Sequence, residues 1–233
     1  MMKVGIMQPY FWPYLGYFQL IGAVDKFVIY DDIQYTKKGW INRNRYLCNG
    51  EAKYFSIALE KDSDFLDVCQ RRVAKSFDKK KIENQIYMAY KKAPYFEIVY
   101  PIFYDCVEQE EENLFKYILY SVKRLVAYLG INTELIISSD LHIAKDLKGK
   151  DKVIKICQQL DATQYINPIG GVALYDKAEF EDKGLTLSFL QMEDSLCYRQ
   201  FQNEFISSLS ILDVLMFNPV NEVKKMLKSY KLV

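Results

Sequence analysis

Histidine, glycine-rich phosphate loops and long apolar runs are scarce or missing in this sequence of 233 residues. His142 is the only histidine, so motifs with two metal-binding histidines are excluded, and a histidine-dependent catalytic triad would have to use it. Neither GxxxxGK[ST] nor GxGxxG occurs, which excludes the two standard phosphate-binding loops. The most apolar helical stretch, FKYILYSVKRLVAYLGI, contains Lys116, Lys123 and Arg124, so we expect no insertion into a membrane.

Excess charge and cysteine patterning are also lacking. Lys and Arg total 31 against 30 Asp and Glu, so net charge gives no reason to expect a nucleic-acid partner. The five cysteines are scattered without a C-x-x-C pair, which favours buried thiols in a reducing cytoplasm over disulfides or a zinc site. Gln8 and Pro9 interrupt the apolar start that a secretory signal would need. We therefore expect a cytoplasmic globular protein.

Strand patterns and helix patterns alternate along the chain. The predicted strands are KVGIMQ, KFVIYDD, AKYFSIAL, TELIISS, TQYINP and LTLSFLQ. Helical spacing occurs in YLGYFQLIGAV, DFLDVCQRRVAKSF, KKKIENQIYMAYKKA, NLFKYILYSVKRLVAYL, DKVIKICQQL and the C-terminal tail. This alternation predicts an α/β fold, with a mainly parallel sheet covered by helices on both faces. We expect a single domain over 1–233 with a helical insertion at about 64–130.

Polar residues follow three of the predicted strands. Gln8 and Pro9 follow the first strand, and Asp31 and Asp32 end the second. A later strand leads into Asn167, Gly170 and Gly171. Ligands of open parallel sheets bind beyond the carboxyl ends of the strands, so we expect one binding site formed by these three strand ends.

Asp31 and His142 are the candidate catalytic residues. Adjacent strand residues face opposite sides, so one of Asp31 and Asp32 should point into the cleft, and we favour Asp31 as general base or ligand for a substrate amine. The alternative is a structural carboxylate that caps a helix or pairs with a nearby cation. His142 follows a strand and suits acid–base chemistry, the alternative being a surface residue. No second acidic cluster or histidine lies near Asp31, so we expect no metal site.

The stretch YTKKGWINRNR interleaves cations with aromatic residues. Arginine binds phosphate through two parallel hydrogen bonds, and aromatic faces stack on bases or sugars. We therefore expect this loop to bind a nucleotide or a nucleotide-linked sugar, the alternative being an ordinary solvated basic loop. The candidate residues are Tyr35, Lys38, Trp40, Arg43 and Arg45.

The stretch MQPYFWPYLGYF is dense in aromatic residues. We interpret it as a pocket wall, in which Gln8 offers an amide, prolines stiffen the turn and Gly16 permits close approach of a ligand. The alternatives are that Phe11, Trp12 and Phe18 pack beneath the long helices or form the contact of a homodimer.

These motifs resemble one family over nearly the whole chain. The segments QPYFWPYLGYFQLI, DKFVIYDDIQYTKKGWINRNR, YINPIGG, GLTLSFL and LSILDVLMFN closely resemble the WbqC-like proteins, which are encoded among bacterial O-antigen and other surface-polysaccharide genes. The resemblance assigns no roles, but it implies that the positions typical of the family are Gln8, Pro9, Gly16, Asp31, Tyr35, Lys38, Trp40, Arg43, Asn167, Gly170 and Gly171.

A second resemblance concerns layout. YLGYFQLIGAVDKFVIY is similar to the strand–HxGH–helix–strand opening of nucleotidyltransferases and pantothenate-synthetase-like ligases, which implies a Rossmann-like fold. Tyr14 and Tyr17 stand where those enzymes have two histidines, with Gly16 between them. Tyrosine is not cationic at neutral pH, so this departure argues against adenylyl transfer.

Three functional hypotheses follow. The first is a transferase in O-antigen synthesis that adds an acyl or aminoacyl group to a nucleotide-linked amino sugar. The second is an ATP-dependent ligase that binds ATP at the Tyr14–Tyr17 turn. The third is a non-catalytic partner of a glycosyltransferase.

Overall fold

A sheet of six strands forms the centre of the computed structural model, which describes residues 1–144, 146–201 and 204–233. Its strands are β1 (Lys3–Met7), β2 (Lys26–Ile29), β5 (Glu134–Ile137), β6 (Gln164–Pro168), β7 (Thr186–Met192) and β8 (Tyr230–Leu232). They are ordered β5-β2-β1-β6-β7-β8, and only the β7–β8 pair of this sheet is antiparallel. This order, with the first strand at the centre, confirms the Rossmann-like mainly parallel fold.

Helices cover both faces of this sheet. Those of the described residues are α1 (Leu15–Ala23), α2 (Lys79–Tyr90), α3 (Phe96–Glu108), α4 (Leu114–Leu129), α5 (Gly149–Gln159), α6 (Lys177–Glu181), α7 (Ile211–Phe217) and α8 (Val220–Met226). On one face, α1 to α4 share a core with α7 and α8, whereas α5 and α6 pack on the other. Gly5 in β1 lets α1 approach, since a Cβ there would lie 3.4 Å from Leu20 and Val24.

A two-stranded hairpin stands apart from this sheet. It consists of β3 (Arg43–Cys48) and β4 (Glu51–Ser56), paired antiparallel. The expectation that YTKKGWINRNR is entirely a loop is wrong, because its last three residues begin β3, in which Asn44, Tyr46 and Leu47 are buried. Their neighbours Arg43 and Arg45 are partly exposed, so the polar composition of this strand reflects one face only.

The helix expected over DFLDVCQRRVAKSF is also wrong. Only the 3-10 helix Val68–Gln70 forms there. The segment instead makes isolated antiparallel bridges, Gln34 with Asp67, Leu59 with Val73 and Arg72 with Asn113. These bridges give the backbone of the segment the partners that a helix would have supplied.

The aromatic residues near the N-terminus divide between core and surface. Phe11, Trp12, Tyr17 and Phe18 are fully buried, and the Trp12 ring lies 5.1 Å from the Phe103 ring of α3. The Phe11 ring lies 6.1 Å from the Tyr117 ring of α4, so Phe11 and Trp12 pack against the long helices, while Tyr10 stays partly exposed. The expectation that the cysteines are buried holds for Cys106 and Cys157, whereas Cys197 is exposed.

Candidate functional site

A cleft of about 1140 Å³ opens at the carboxyl ends of the central strands. The chain leaves β1 toward β2 on one side, whereas β6 lies on the other, so the cleft lies where the strand order reverses. Rossmann-like folds bind their ligands at this point. Gln8 follows β1, Asp32 follows β2 and Asn167 lies near the end of β6, so three neighbouring strands contribute to the cleft.

An ion pair between Asp32 and Lys152 lies in this cleft. Lys152 Nζ is 2.6 Å from Asp32 Oδ2, and the Lys152 side chain is only 7% exposed. The same Nζ lies 4.9 Å from the centroid of the Tyr30 ring. Asp32 Oδ1 is buried and has no hydrogen-bond donor among the described residues. One carboxylate oxygen of the pair is therefore left without a hydrogen-bond partner among the described residues.

The charge of this pair also acts on Tyr30. Burial raises the pKa of the Tyr30 hydroxyl, and the nearby carboxylate of Asp32 raises it further. Tyr30 is thus neutral at physiological pH and available as a hydrogen-bond donor.

The amino terminus of α5 reaches the same cleft. Lys148 is the N-cap residue, and its side chain makes no capping hydrogen bond. Lys148, Gly149 and Lys152 line the cleft. The first backbone N–H groups of a helix lack partners within the helix, and the helix dipole favours negative charge at this end. Two lysines beside such a terminus suit the phosphate groups of a ligand.

A polar corner is formed by Asn167 and Gly171. Asn167 Oδ1 accepts a hydrogen bond of 3.1 Å from the Tyr165 hydroxyl, which fixes the direction of the amide. A Cβ on Gly171 would lie 1.9 Å from Asn167 Nδ2, so only glycine leaves room for this amide. Gly170 also lines the cleft, but a Cβ there would meet no atom within 4 Å.

Aromatic side chains form much of the remaining wall. Tyr10, Tyr14, Trp40 and Tyr175 line the cleft. The Tyr14 ring lies over the start of α1, because a Cβ on Gly16 would be 2.4 Å from Tyr14 Cε2. Burial raises the pKa of Tyr14 to about 12, with a further contribution from Tyr10. The wall therefore presents neutral phenols and ring faces, which suit sugars and bases.

The turn that carries Tyr10 and Tyr14 is held by buried hydrogen bonds. Asn44 Nδ2 donates to the carbonyls of Phe11 and Trp12 at 3.2 and 2.8 Å. The Ser210 hydroxyl donates to the same Trp12 carbonyl at 2.7 Å. Trp12 has a φ of 46°, which is costly for a bulky residue, so these bonds stabilise a backbone shape that propensity disfavours.

Arg45 completes the rim on the hairpin side. Its Nη2 donates to the Ser208 carbonyl at 2.9 Å, and its guanidinium carbon lies 5.6 Å from the centroid of the Trp40 ring. Arg45 Nε is buried without an acceptor among the described residues. The side chain therefore brings a cation with an unused donor to the cleft.

Seven of the residues expected from the sequence are brought together in this cleft. They are Gln8, Tyr14, Trp40, Arg45, Asn167, Gly170 and Gly171. These residues come from the ends of β1 and β6, the first turn and the basic segment, whereas the end of β2 contributes Asp32 instead of the expected Asp31.

Neither candidate catalytic residue lines the cleft. Asp31 is 1% exposed, and its carboxylate accepts hydrogen bonds from the Ser139 amide at 2.9 Å and the Ser139 hydroxyl at 2.8 Å. Burial raises the pKa of Asp31, while the bonds from Ser139 lower it. His142 is exposed and follows the 3-10 helix Ser138–Leu141. It is Asp32, not Asp31, that faces the cleft.

Five further expected residues lie elsewhere. Gly16 is buried under Tyr14, and the buried Tyr17 hydroxyl donates to the Gln8 carbonyl at 3.1 Å. The Tyr35 hydroxyl donates to Asn42 Oδ1 at 2.8 Å. Lys38 is exposed, and Arg43 binds the carbonyls of Lys38 and Gly39. These residues shape the turn and the basic segment around the cleft without lining it.

Sequence reasoning missed several lining residues, among them Tyr30, Lys148, Lys152 and Tyr175. Lys148 and Lys152 carried a usable signal, since KGKDK precedes a predicted helix that follows a predicted strand. Cations at such a helix start run against the helix dipole and therefore suggest an anionic ligand. The sequence contains no comparable signal for Tyr30 and Tyr175, because the orientation of their side chains depends on packing between separate elements.

Fold and cleft together define a class. The chain is a Rossmann-like α/β protein with a large polar and aromatic cleft at the strand-order reversal, and no described helix is both long and apolar enough to traverse a bilayer.

Comparison with known proteins identifies the family. The sequence model of the WbqC-like protein family matches residues 8–225, and the chain belongs to this family. It is similar to the Mycobacterium tuberculosis protein named "Uncharacterized protein Rv1507c", with 30% identity over 221 residues that cover 92% of this chain and 93% of the relative. No solved structure gives a significant match.

Proposed function

We propose that this protein is a cytoplasmic transferase that acts on a nucleotide-linked amino sugar in the synthesis of a bacterial surface polysaccharide. The observation that supports this proposal is the arrangement of the cleft. The α5 terminus and Lys148 supply positive charge, Asp32 supplies a free carboxylate oxygen, and Tyr10 and Trp40 supply ring faces. A nucleotide sugar carries the matching groups, namely a diphosphate, hydroxyl or amino groups, and two rings.

The diphosphate in this proposal lies at the α5 terminus. The backbone N–H of Gly149 and the ammonium group of Lys148 bind its oxygens, and Arg45 approaches from the hairpin side. The sugar and base rest against Tyr10, Tyr14 and Trp40, while Gln8 supplies an amide for hydroxyl groups.

The transfer step in this proposal uses Asp32 and Asn167. Asp32 Oδ1 accepts a proton from the sugar amine as its nitrogen attacks the carbonyl carbon of an acyl donor. The charge that develops on the carbonyl oxygen is stabilised by Asn167 Nδ2 and the backbone N–H groups of Gly170 and Gly171. When the carbonyl re-forms, the bond between its carbon and the donor's leaving group breaks, and that group departs with the proton that Asp32 took up. Lys152 holds the Asp32 carboxylate in place through their ion pair.

A nucleotidyltransferase or ligase that binds ATP is the second candidate. It is favoured by the arrangement of β1, α1 and β2, which is common to Rossmann-like enzymes of that chemistry, and by the positive α5 terminus. The Tyr14 ring covers the start of α1, so in this chain the phosphates would lie at α5 instead of α1. Stabilisation by ATP without any effect of nucleotide sugars would favour this candidate.

A binding partner of a glycosyltransferase is the third candidate. Tyr87, Tyr104 and Tyr120 on α2 to α4 are 42, 47 and 37% exposed, which offers aromatic surface away from the cleft. A large cleft with a buried ion pair is not required by such a role, so the geometry favours the first two candidates. A stable complex together with an inert cleft would support the third.

A thermal-shift panel tests the proposal. The purified chain is melted with amino sugars linked to dTDP, UDP and GDP, with the free nucleotides and with ATP. A ligand at a hundred times its dissociation constant adds about 2.7 kcal/mol to the free energy of unfolding. We expect a rise in melting temperature with one nucleotide amino sugar, and no rise with any of these ligands would refute the proposal.

A further inference from the structure

A second cleft of about 640 Å³ lies between the hairpin and the start of α2. Tyr35, Tyr54, Arg71, Phe77 and Lys81 are among its lining residues. We propose that this cleft binds a phosphate monoester. The proposal does not depend on the function assigned to the first cleft.

Arg71 is the first reason for this inference. The residue is 5% exposed, and no carboxylate of the described residues lies within salt-bridge distance of it. Its terminal nitrogens donate to the carbonyls of Ser63 and Glu60 at 3.0 and 3.2 Å, but Nε is buried without an acceptor among the described residues. The guanidinium carbon also lies 4.9 Å from the centroid of the Tyr35 ring, which offsets part of the cost of burial. The guanidinium still lacks a counter-charge among the described residues, and a bound anion would supply one.

The first turn of α2 is the second reason. It begins Lys79-Lys80-Lys81 and contains no acidic residue, although the helix dipole disfavours cations at this end. The N-cap residue Asp78 accepts a hydrogen bond from the Lys81 amide at 2.9 Å. Lys79 Nζ binds Glu110 at 3.2 Å, whereas Lys81 is exposed and has no ion pair among the described residues. The Asp78 carboxylate also lines the cleft and offsets part of this unfavourable charge, and a dianion between Lys81 and Arg71 would offset the remainder.

The aromatic side of the cleft suits the organic part of the ligand. The Tyr54 ring is 47% exposed, and the guanidinium carbon of Arg43 lies 4.6 Å from its centroid. Trp40 of the first cleft stacks on Tyr54 with a centroid distance of 6.2 Å. A monoester, with about two negative charges and three acceptor oxygens at neutral pH, matches the cations, and its sugar ring can rest on Tyr54.

Amide NMR with ribose 5-phosphate tests this inference, with ribose as the neutral control. We expect saturable shifts of the Lys79–Lys81 amides and of the Arg71 Nε–H signal, and no such shifts with ribose. Lys81→Ala should weaken binding about fivefold through the loss of one charge-assisted contact. Lys80→Ala is the matched control, because Lys80 is exposed in the same turn but does not line the cleft.

The Lys81→Ala substitution should not disturb folding. Lys81 makes no side-chain hydrogen bond among the described residues, so Lys81→Ala should melt no lower than the wild type. Absence of saturable shifts would overturn the inference. So would shifts confined to Gly149 and Gly170 of the first cleft, or equal binding by the Lys81→Ala and Lys80→Ala variants.

Discussion

At the scale of single residues, the charge of the candidate site depends on the Asp32–Lys152 pair. Lys152 is almost fully buried, and Asp32 keeps one oxygen without a partner among the described residues. A buried pair is expensive to break because the remaining charge is left without compensation. A buried pair that lines a cleft is also a candidate for a role in ligand binding.

Substitutions of this pair should separate stability from binding. Asp32→Asn should lower the free energy of unfolding by about 1–3 kcal/mol, because Lys152 loses its counter-charge. The double variant Asp32→Asn/Lys152→Met should recover much of that loss, since no unpaired charge remains. Urea denaturation measures both, and binding of the nucleotide sugar should be weakened in both. Full binding by the double variant would exclude the pair from the site.

Two adjacent glycines provide a matched pair of substitutions. Gly171→Ala should lower kcat about tenfold, because the new methyl group would lie 1.9 Å from Asn167 Nδ2 and must displace the amide that stabilises the developing charge. Gly170→Ala should leave kcat unchanged, since a Cβ there has no neighbour within 4 Å. Acyl-transfer kinetics on both variants measure the difference. Equal kcat values would show that the Asn167 amide does not stabilise the transition state.

The neighbouring acids Asp31 and Asp32 show what a sequence leaves open at this scale. Alternation along a strand predicts that their side chains point in opposite directions. The structure agrees, since Asp31 binds Ser139 and Asp32 lines the cleft. Which of them enters the cleft depends on Ser139, more than a hundred residues away, whose amide and hydroxyl bind Asp31. Local sequence contains no information on that contact.

At the scale of elements, the strands of the parallel sheet and strand β4 of the hairpin were predictable, whereas strand β3 was not. Strands β1 and β2 are largely buried and read as short apolar runs, but β3 has the sequence RNRYLC. Its Asn44 is buried because it binds backbone carbonyls of the Phe11–Trp12 turn, not because it is apolar. A pattern based on hydrophobicity therefore misses both the strand and its function in holding the turn.

Removal of the Asn44 side chain should reveal this support. Asn44→Ala leaves the carbonyls of Phe11 and Trp12 with fewer donors, so we expect a loss of about 1–3 kcal/mol in the free energy of unfolding. Ligand affinity should also fall, since Tyr10 and Tyr14 flank the released turn. Asn84→Ala on the exposed face of α2 is the control, measured by the same urea titration. Wild-type stability of Asn44→Ala would contradict the described support.

The contact between α2 and α3 should make stability depend on pH. Burial raises the pKa of Glu83 to about 7, and its hydrogen bond with Glu108 and the charge of that residue contribute. A carboxyl group with a higher pKa in the folded chain binds more protons when folded, so stability is greatest below the ordinary pKa of 4.5.

The free energy of unfolding should therefore fall as the pH rises through the folded-state pKa, and Glu83→Gln should flatten that fall. Urea titrations at several pH values on the wild type and the variant provide the measurement. Identical pH profiles for the two proteins would show that Glu83 does not titrate as described.

At the scale of the whole molecule, the fold followed from the order of strand and helix patterns. Alternation predicted a parallel sheet covered on both faces, and the strand order confirms it. The single domain remains a prediction, supported by the core that joins α1 to α3 and α4 without interruption. The cleft was less predictable, because Tyr30, Lys152 and Tyr175 are distant in sequence and meet only through the tertiary structure.

The most direct test of the central claim is the affinity of the best nucleotide amino sugar for three proteins, measured by titration calorimetry. They are the wild type, Lys148→Ala and Lys150→Ala, whose substituted lysines are both exposed at the start of α5, although only Lys148 lines the cleft. We expect the dissociation constant to rise about tenfold in Lys148→Ala, as for a lost charge-assisted phosphate contact, and to stay unchanged in Lys150→Ala. Equal affinity in all three proteins, or no binding to the wild type, would contradict the account.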